Sequence, residues 1–238
     1  MSKLTVILRT CDKVNAFSGT KPRDFGSKFD VMQKCITSLK TSIDYFKARG
    51  GECKLIIVDD NSSESMVSFL NELGADVITK PDGSGNGASF IKCVSLACEE
   101  DGLVFLVEDD YLLQEECIES MVNSYHKIKK QFSIEPCFHP SDYPDRYNQV
   151  YPSLILLGSD RHYRSIKHTT CTFMYHSSVF NTYRKDLEAF SNYGIIPGIT
   201  EDNTINKVYN QLYCFSPIPS LAEHYQYKET LSPFFKES

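Results

Sequence analysis

Tryptophan is missing from the 238 residues, and no two of the nine cysteines form a Cys-x-x-Cys pair. The cysteines are scattered from Cys11 to Cys214, and none stands at zinc-ligand spacing from a histidine. That excludes the common zinc motifs and predicts free thiols in a reducing compartment. No apolar run approaches the ~20 residues a membrane-spanning helix needs. The opening MSKLTVILRT has no apolar leader core, because Arg9 and Asp12 cut the run short. A basic excess is also missing: the net charge of -6 argues against nucleic acid, whose phosphates call for a basic face. An acidic chain can still bind a phosphorylated small molecule if a metal ion supplies the positive charge. There is no repeat and no low-complexity segment. A cytoplasmic chain without a membrane span is expected, with its aromatic core drawn from 14 Tyr and 15 Phe.

What is present is an alternation. LTVILRT (4–10), CKLIIVDD (53–60), ADVITK (75–80) and GLVFLVEDD (102–110) read as strands. Helical patterns stand between them at 30–49, from Met66 to Leu73 behind a Ser62 or Ser63 cap, and at 89–100. Apolar strands alternating with helices predict an α/β fold, a mostly parallel sheet covered on both faces. Ligands of such sheets bind beyond the carboxyl ends of the strands. Four polar stretches gather there: Arg9 to Asp12, Asp59-Asp60-Asn61, Gly83 to Gly87, and Glu108-Asp109-Asp110.

Beyond residue 111 the pattern loosens. An amphipathic helix (112–131) precedes a Pro- and Tyr-rich stretch (135–152) read as a long loop. Strands are expected at 153–159 and 168–177, a helix over 178–194 closed by Gly194, a helix over 200–212, and a late strand or loop from Cys214. No free linker divides the chain, so one domain spanning 1–238 is expected, with functional halves at 1–111 and 112–238.

Three adjacent acids at the end of a buried strand repel one another unless a cation lies among them. A hard divalent ion prefers oxygen ligands and bridges one or two carboxylates to substrate phosphates. The competing explanation is a solvated turn whose acids favour the next helix N-terminus. Asp59-Asp60 could likewise cap a helix or bond a ribose or base edge. GSGNG (83–87) precedes a helix start and could cradle a phosphate, although it lacks the Lys-Ser/Thr of a P-loop. Arg161, Arg164, Lys167 and His168 form a small basic cluster that could meet a diphosphate or be a solvated face.

In order and spacing, VILRTCDK, IIVDDNSSE, GNGASFIKC, LVFLVEDD and the later TEDN resemble the motif series of inverting nucleotide-sugar glycosyltransferases of the GT-A fold, a Rossmann-like architecture, and family 2 in particular. Glycosyltransferase domains of large algal viruses are one point of similarity. The resemblance implies a hexosyltransferase moving a sugar from a UDP- or dTDP-type donor to a glycan or other hydroxyl acceptor, with Mn²⁺ or Mg²⁺ as cofactor. It places Thr10, Asp12, Asp59 and Asp60 around the base, Asn86 and Gly87 by the donor, and Asp109 on the ribose or sugar. Asp110 becomes the metal ligand with Asp109 beside it, His224 a late extra ligand, and Asp202 the catalytic base. The first strand ends in RTCDK instead of the usual proline-threonine-aromatic-asparagine pattern, and the tryptophan-containing acceptor motif is absent. Two other readings are a nucleotidyltransferase and a non-catalytic nucleotide-sugar-binding module. The absence of an early glycine cluster after the first strand counts against the nucleotidyltransferase.

Overall fold

The apolar runs become neighbouring strands in the computed structural model, which describes residues 3–13, 24–193 and 195–236. β1 (Lys3–Thr10), β2 (Glu52–Asp59), β3 (Val77–Thr79) and β4 (Leu103–Glu108) lie in the order β3-β2-β1-β4, all parallel. Their register pairs Thr10 with Asp59 and Arg9 with Glu108, so the polar ends meet at one rim.

Alternation along each strand feeds two cores. Leu4, Val6, Leu8, Phe105 and Val107 face one side, with α1 (Lys28–Ala48), α2 (Glu64–Glu72) and α4 (Cys117–Phe132). Ile7, Ile56, Val58, Val104 and Leu106 face the other, with α3 (Asn86–Glu99), α5 (Ser177–Thr182) and α6 (Arg184–Ala189). A capping box between Ser27 and Asp30 starts α1, and the Ser63 hydroxyl accepts from Met66 N–H to start α2.

The sheet continues past β4 with β9 (Phe173–His176), β6 (Cys137–Phe138), β10 (Cys214–Ile218), β8 (His162–Ile166) and β7 (Ile155–Leu157). Only β9 and β8 run against the rest, so seven of the nine strands point one way. A separate antiparallel ribbon joins β5 (Tyr111–Leu113) to β11 (Ala222–His224), with Tyr111 opposite His224.

Several expectations for the second half change. The predicted helix 112–131 gives up its start to β5 and begins at Cys117. Strand β6 interrupts the stretch read as a loop, and β8 appears where none was expected. The helix expected over 178–194 is two helices broken at Tyr183; Gly194, its expected stop, lies outside the described residues. Over 200–212 the chain forms a short 3-10 helix, Ile205–Asn210, instead of an α-helix. Among the described residues, none of the nine cysteines is joined in a disulfide, and no helix is long and apolar enough to cross a membrane.

Candidate active site

The rim of the parallel strands encloses a cavity of about 350 Å³, within the range of small-ligand sites. Five carboxylates line it, from Asp60, Glu108, Asp109, Asp110 and Glu201, against two fixed cations, Arg9 and Lys28, and the imidazole of His224. A second groove of about 840 Å³ lies along the β5–β11 ribbon. Its one carboxylate, Glu223, is engaged by the Ser232 amide at 2.6 Å and hydroxyl at 2.8 Å, so it lacks the convergent charge of the rim.

The acids that end β4 each face a different element. Glu108 pairs with the Arg9 guanidinium at 2.5 Å, and Arg9 reaches on to the Asn86 carbonyl at 3.1 Å, tying β1, β4 and the start of α3 together. Asp109 accepts the Cys11 backbone N–H at 2.9 Å. Asp110 turns to the late ribbon: Oδ1 stands 3.5 Å from His224 Nε2, and Oδ2 accepts the Gln226 side-chain amide. His224 comes into reach because the β5–β11 register sets it opposite Tyr111, whose ring stacks on the imidazole with centroids 4.8 Å apart.

The other predicted residues divide between cavity and scaffold. Thr10, Asp60 and Asn86 line the cavity. Asp60 accepts the Gly85 N–H at 2.5 Å, which fixes the turn into α3. Asp59 is 2 % exposed, and both its oxygens are used within the fold, one by the Thr10 hydroxyl at 2.9 Å and the other by the Ser62 N–H at 3.2 Å. Asp12 accepts the Ser63 N–H at 2.7 Å, at the N-terminus of α2. Gly87 sits in the first turn of α3, where a Cβ would come within 2.9 Å of Ser191 Cα and closer still to its carbonyl. Its smallness serves helix packing. In the basic cluster, Arg161 is paired with Asp160 and Glu116, and Arg164 lies 3.5 Å from the buried Asp142.

Glu201 and Asp202 point to different places. The Asp202 side chain is 68 % exposed and is held by His168 Nδ1 at 2.8 Å and Asn206 Nδ2 at 3.0 Å. Those two hydrogen bonds, Asn206 first, keep its carboxyl below the ordinary range. Glu201 lines the cavity. Burial first, then the charges of Glu108 and Asp202, push its carboxyl up to about 7, against the opposing effect of His224. Glu201 and Gln226 line the cavity without having been singled out as site residues from the sequence. The acidic pair itself was visible, but which of two adjacent acids faces inward depends on an irregular turn with no period.

Residues 27–190 match the model of the family described as glycosyl transferase family 2. The chain belongs to that family. A comparison with curated proteins finds no match. Among solved structures, S. aureus TarS is similar to this chain at 13 % identity with a TM-score of 0.56, over 97 % of this chain and 37 % of that one. TarS 1-349 in complex with UDP is similar at 12 % identity and a TM-score of 0.50, over 90 % and 60 %. This family 2 chain thus spans less than two thirds of the length of these structures, and at such identity the likeness speaks for a shared fold, the GT-A α/β architecture.

The donor set at this wall could hold part of the shell of the divalent cation that the sequence resemblance implies. A carboxylate oxygen and an imidazole nitrogen stand 3.5 Å apart on a wall rich in acids. Among the described residues no group of three or more His, Cys, Asp or Glu forms a complete cage. Partial protein ligation, with substrate phosphates completing the shell, is the usual habit of Mg²⁺.

Proposed function

We propose that this protein transfers a sugar from a nucleoside-diphosphate sugar, of UDP or dTDP type, to an acceptor hydroxyl with inversion, using Mn²⁺ or Mg²⁺. The observation that carries the reading is the meeting of Asp110 and His224 on a cavity wall of five carboxylates. A cavity so rich in negative charge repels a diphosphate unless a cation intervenes. Asp110 and His224 would hold that cation. When bound, it supplies positive charge to the diphosphate leaving group.

The chain's own groups account for the rest. In the half spanning 1–111, Thr10, Asp60 and Asn86 border the nucleoside, and Asp109, fixed by the Cys11 amide, bonds the ribose or sugar. Lys28 adds a cation to the same wall. Asp12, Asp59 and Gly87 act by shaping this half, not by touching the donor. The half spanning 112–238 takes the acceptor and contributes Glu201. The Glu201 carboxylate removes the acceptor proton as the acceptor oxygen bonds the anomeric carbon and the bond to the diphosphate oxygen breaks. The developing oxocarbenium character is that of glycosidic chemistry in general. We assign the base to Glu201 in preference to Asp202, because Glu201 faces the cavity and its carboxyl is poised near neutrality. A UDP donor is in keeping with the TarS 1-349 complex, and the free thiols with a cytoplasmic setting.

A thermal-shift series with UDP, dTDP and UDP-sugars, with and without Mn²⁺, tests the reading. A ligand at about 100 times its Kd stabilises by about 2.7 kcal/mol, and each kcal/mol raises Tm by about 2–4 °C at this size. A nucleotide shift that requires Mn²⁺ supports the reading, and flat traces under every condition refute it. Nucleotide binding without transfer or donor hydrolysis would favour a binding module.

A further inference from the structure

Gln226 belongs to no motif visible in the sequence, yet its side chain reaches the wall of the cavity. Its Nε2 donates to Asp110 Oδ2, while Asp110 Oδ1 is the oxygen that faces His224 Nε2 at 3.5 Å. The two carboxylate oxygens are thereby given different partners. Gln226 is in turn held from outside. Its carbonyl accepts the Asp24 N–H at 3.1 Å, and its own N–H donates to the His224 carbonyl at 2.9 Å, so the backbone that carries the imidazole also carries the amide. Asp24 Oδ2 accepts the Lys228 N–H at 2.9 Å, which clamps both sides of the segment. Tyr225 stacks on Phe25 with centroids 4.0 Å apart, and its hydroxyl accepts from Lys34 at 2.9 Å. The segment from His224 to Lys228 is therefore docked on the residues leading into α1.

We infer that Gln226 is a positioning residue for the metal site: by donating to Asp110 Oδ2 it holds the carboxylate one-sided, with Oδ1 presented to a cation shared with His224. Outer partners of this kind fix the orientation of metal ligands, and their loss weakens metal binding by about 10–100-fold. A neutral amide does this without adding charge, whereas a free carboxylate could rotate to chelate the ion or turn away from it. The Asp24 carboxylate then acts one step further out, by holding the Lys228 N–H and with it the segment that carries Gln226. The inference rests on the proposed assignment of Asp110 and His224 as metal ligands.

The test is Mn²⁺ affinity of the nucleotide-free protein, read from the paramagnetic resonance signal of free Mn²⁺, for the parent and for Asp110→Asn, Gln226→Leu, Gln226→Ala and Asp24→Ala. Melting temperatures of each are measured alongside. Expected are loss of binding in Asp110→Asn, a 10–100-fold weaker Kd in both Gln226 variants at a melting temperature close to the parent's, and a smaller weakening in Asp24→Ala. If the parent binds and Asp110→Asn does not, but both Gln226 variants stay within twofold of the parent, Gln226 has no positioning role and the metal assignment stands. If the parent binds no Mn²⁺, or Asp110→Asn binds as well as the parent, the metal assignment itself falls and this inference with it. A Gln226 variant that loses Tm and Mn²⁺ affinity while the other keeps both also counts against the inference, since the shared feature of the two is the missing donor.

Discussion

Replacing Glu201 by Gln keeps the shape of the side chain and removes its ability to take a proton. The carboxyl is pushed up to about 7 by burial and by Glu108 and Asp202, so about half the parent molecules hold a ready base at neutral pH and about one in ten at pH 6. The parent's kcat/KM should therefore rise about tenfold from pH 6 to a plateau above pH 8. Glu201→Gln should lose about 100- to 10,000-fold, the usual worth of a positioned base, or roughly 3–5 kcal/mol of barrier. The small activity that remains should no longer climb with pH through this range. Asp202→Asn provides the contrast. Asp202 is mostly exposed and bound to His168 and Asn206, and its charge is one of those that raise Glu201. Its removal should move the acid limb to lower pH and leave the plateau within about an order of magnitude of the parent. The assay is initial-rate transfer or donor hydrolysis with Mn²⁺ between pH 5.5 and 9. If Asp202→Asn abolishes turnover while Glu201→Gln retains the parent's profile, the assignment is refuted and the base is Asp202.

Asp110→Asn should abolish metal-dependent activity, whereas Glu108→Gln, whose side chain is committed to Arg9, should cost far less; kcat measured across Mn²⁺ concentrations separates the two. Gly87→Ala places a Cβ against the Ser191 backbone and should destabilise by about 1–3 kcal/mol, seen in urea unfolding. His139 is fully buried with Nδ1 2.7 Å from the Thr172 carbonyl, and burial, followed by Arg146, pushes it down to about 3. The unfolded chain binds this proton below about pH 6.5 and the folded one does not, so stability falls as pH drops from there toward 3. His139→Phe should remove that contribution, and its deficit against the parent should shrink by about 2–3 kcal/mol between pH 6.5 and 4.5, measured by chemical denaturation.

The first half of the fold was readable because β1, β2 and β4 are apolar runs, buried along most of their length and closed by polar residues, a pattern that fixes strand type, direction and rim together; β3, an exposed edge strand, was legible from its β-branched run alone. The second half resisted for local reasons. β8 reads His-Tyr-Arg-Ser-Ile, with His162 exposed and Arg164 and Ser165 half-buried, so no clean alternation shows; β6 is two residues long; and β5 is a short strand paired only with β11. The site followed the same division. Asp109 and Asp110, expected at the end of the strand that carries them, line the cavity, whereas Asp59, equally visible as an acid at a strand end, is hydrogen-bonded to Thr10 and Ser62. Position in a motif reveals which residues reach the rim, while hydrogen-bond demand in the adjoining turn decides which stay available there.

The contact between Asp110 and the 224–226 segment closes a loop of more than a hundred residues, with 116 positions separating Asp110 from Gln226. A cation held there would work as a removable cross-link, constraining the chain as a long-range staple does. Chelation would then loosen chiefly the late ribbon and the sheet edge behind it, leaving β1 to β4 intact. In hydrogen exchange, the amides of Tyr111 to Leu113 and Ala222 to His224 should report the metal, and those of β2 should be indifferent to it.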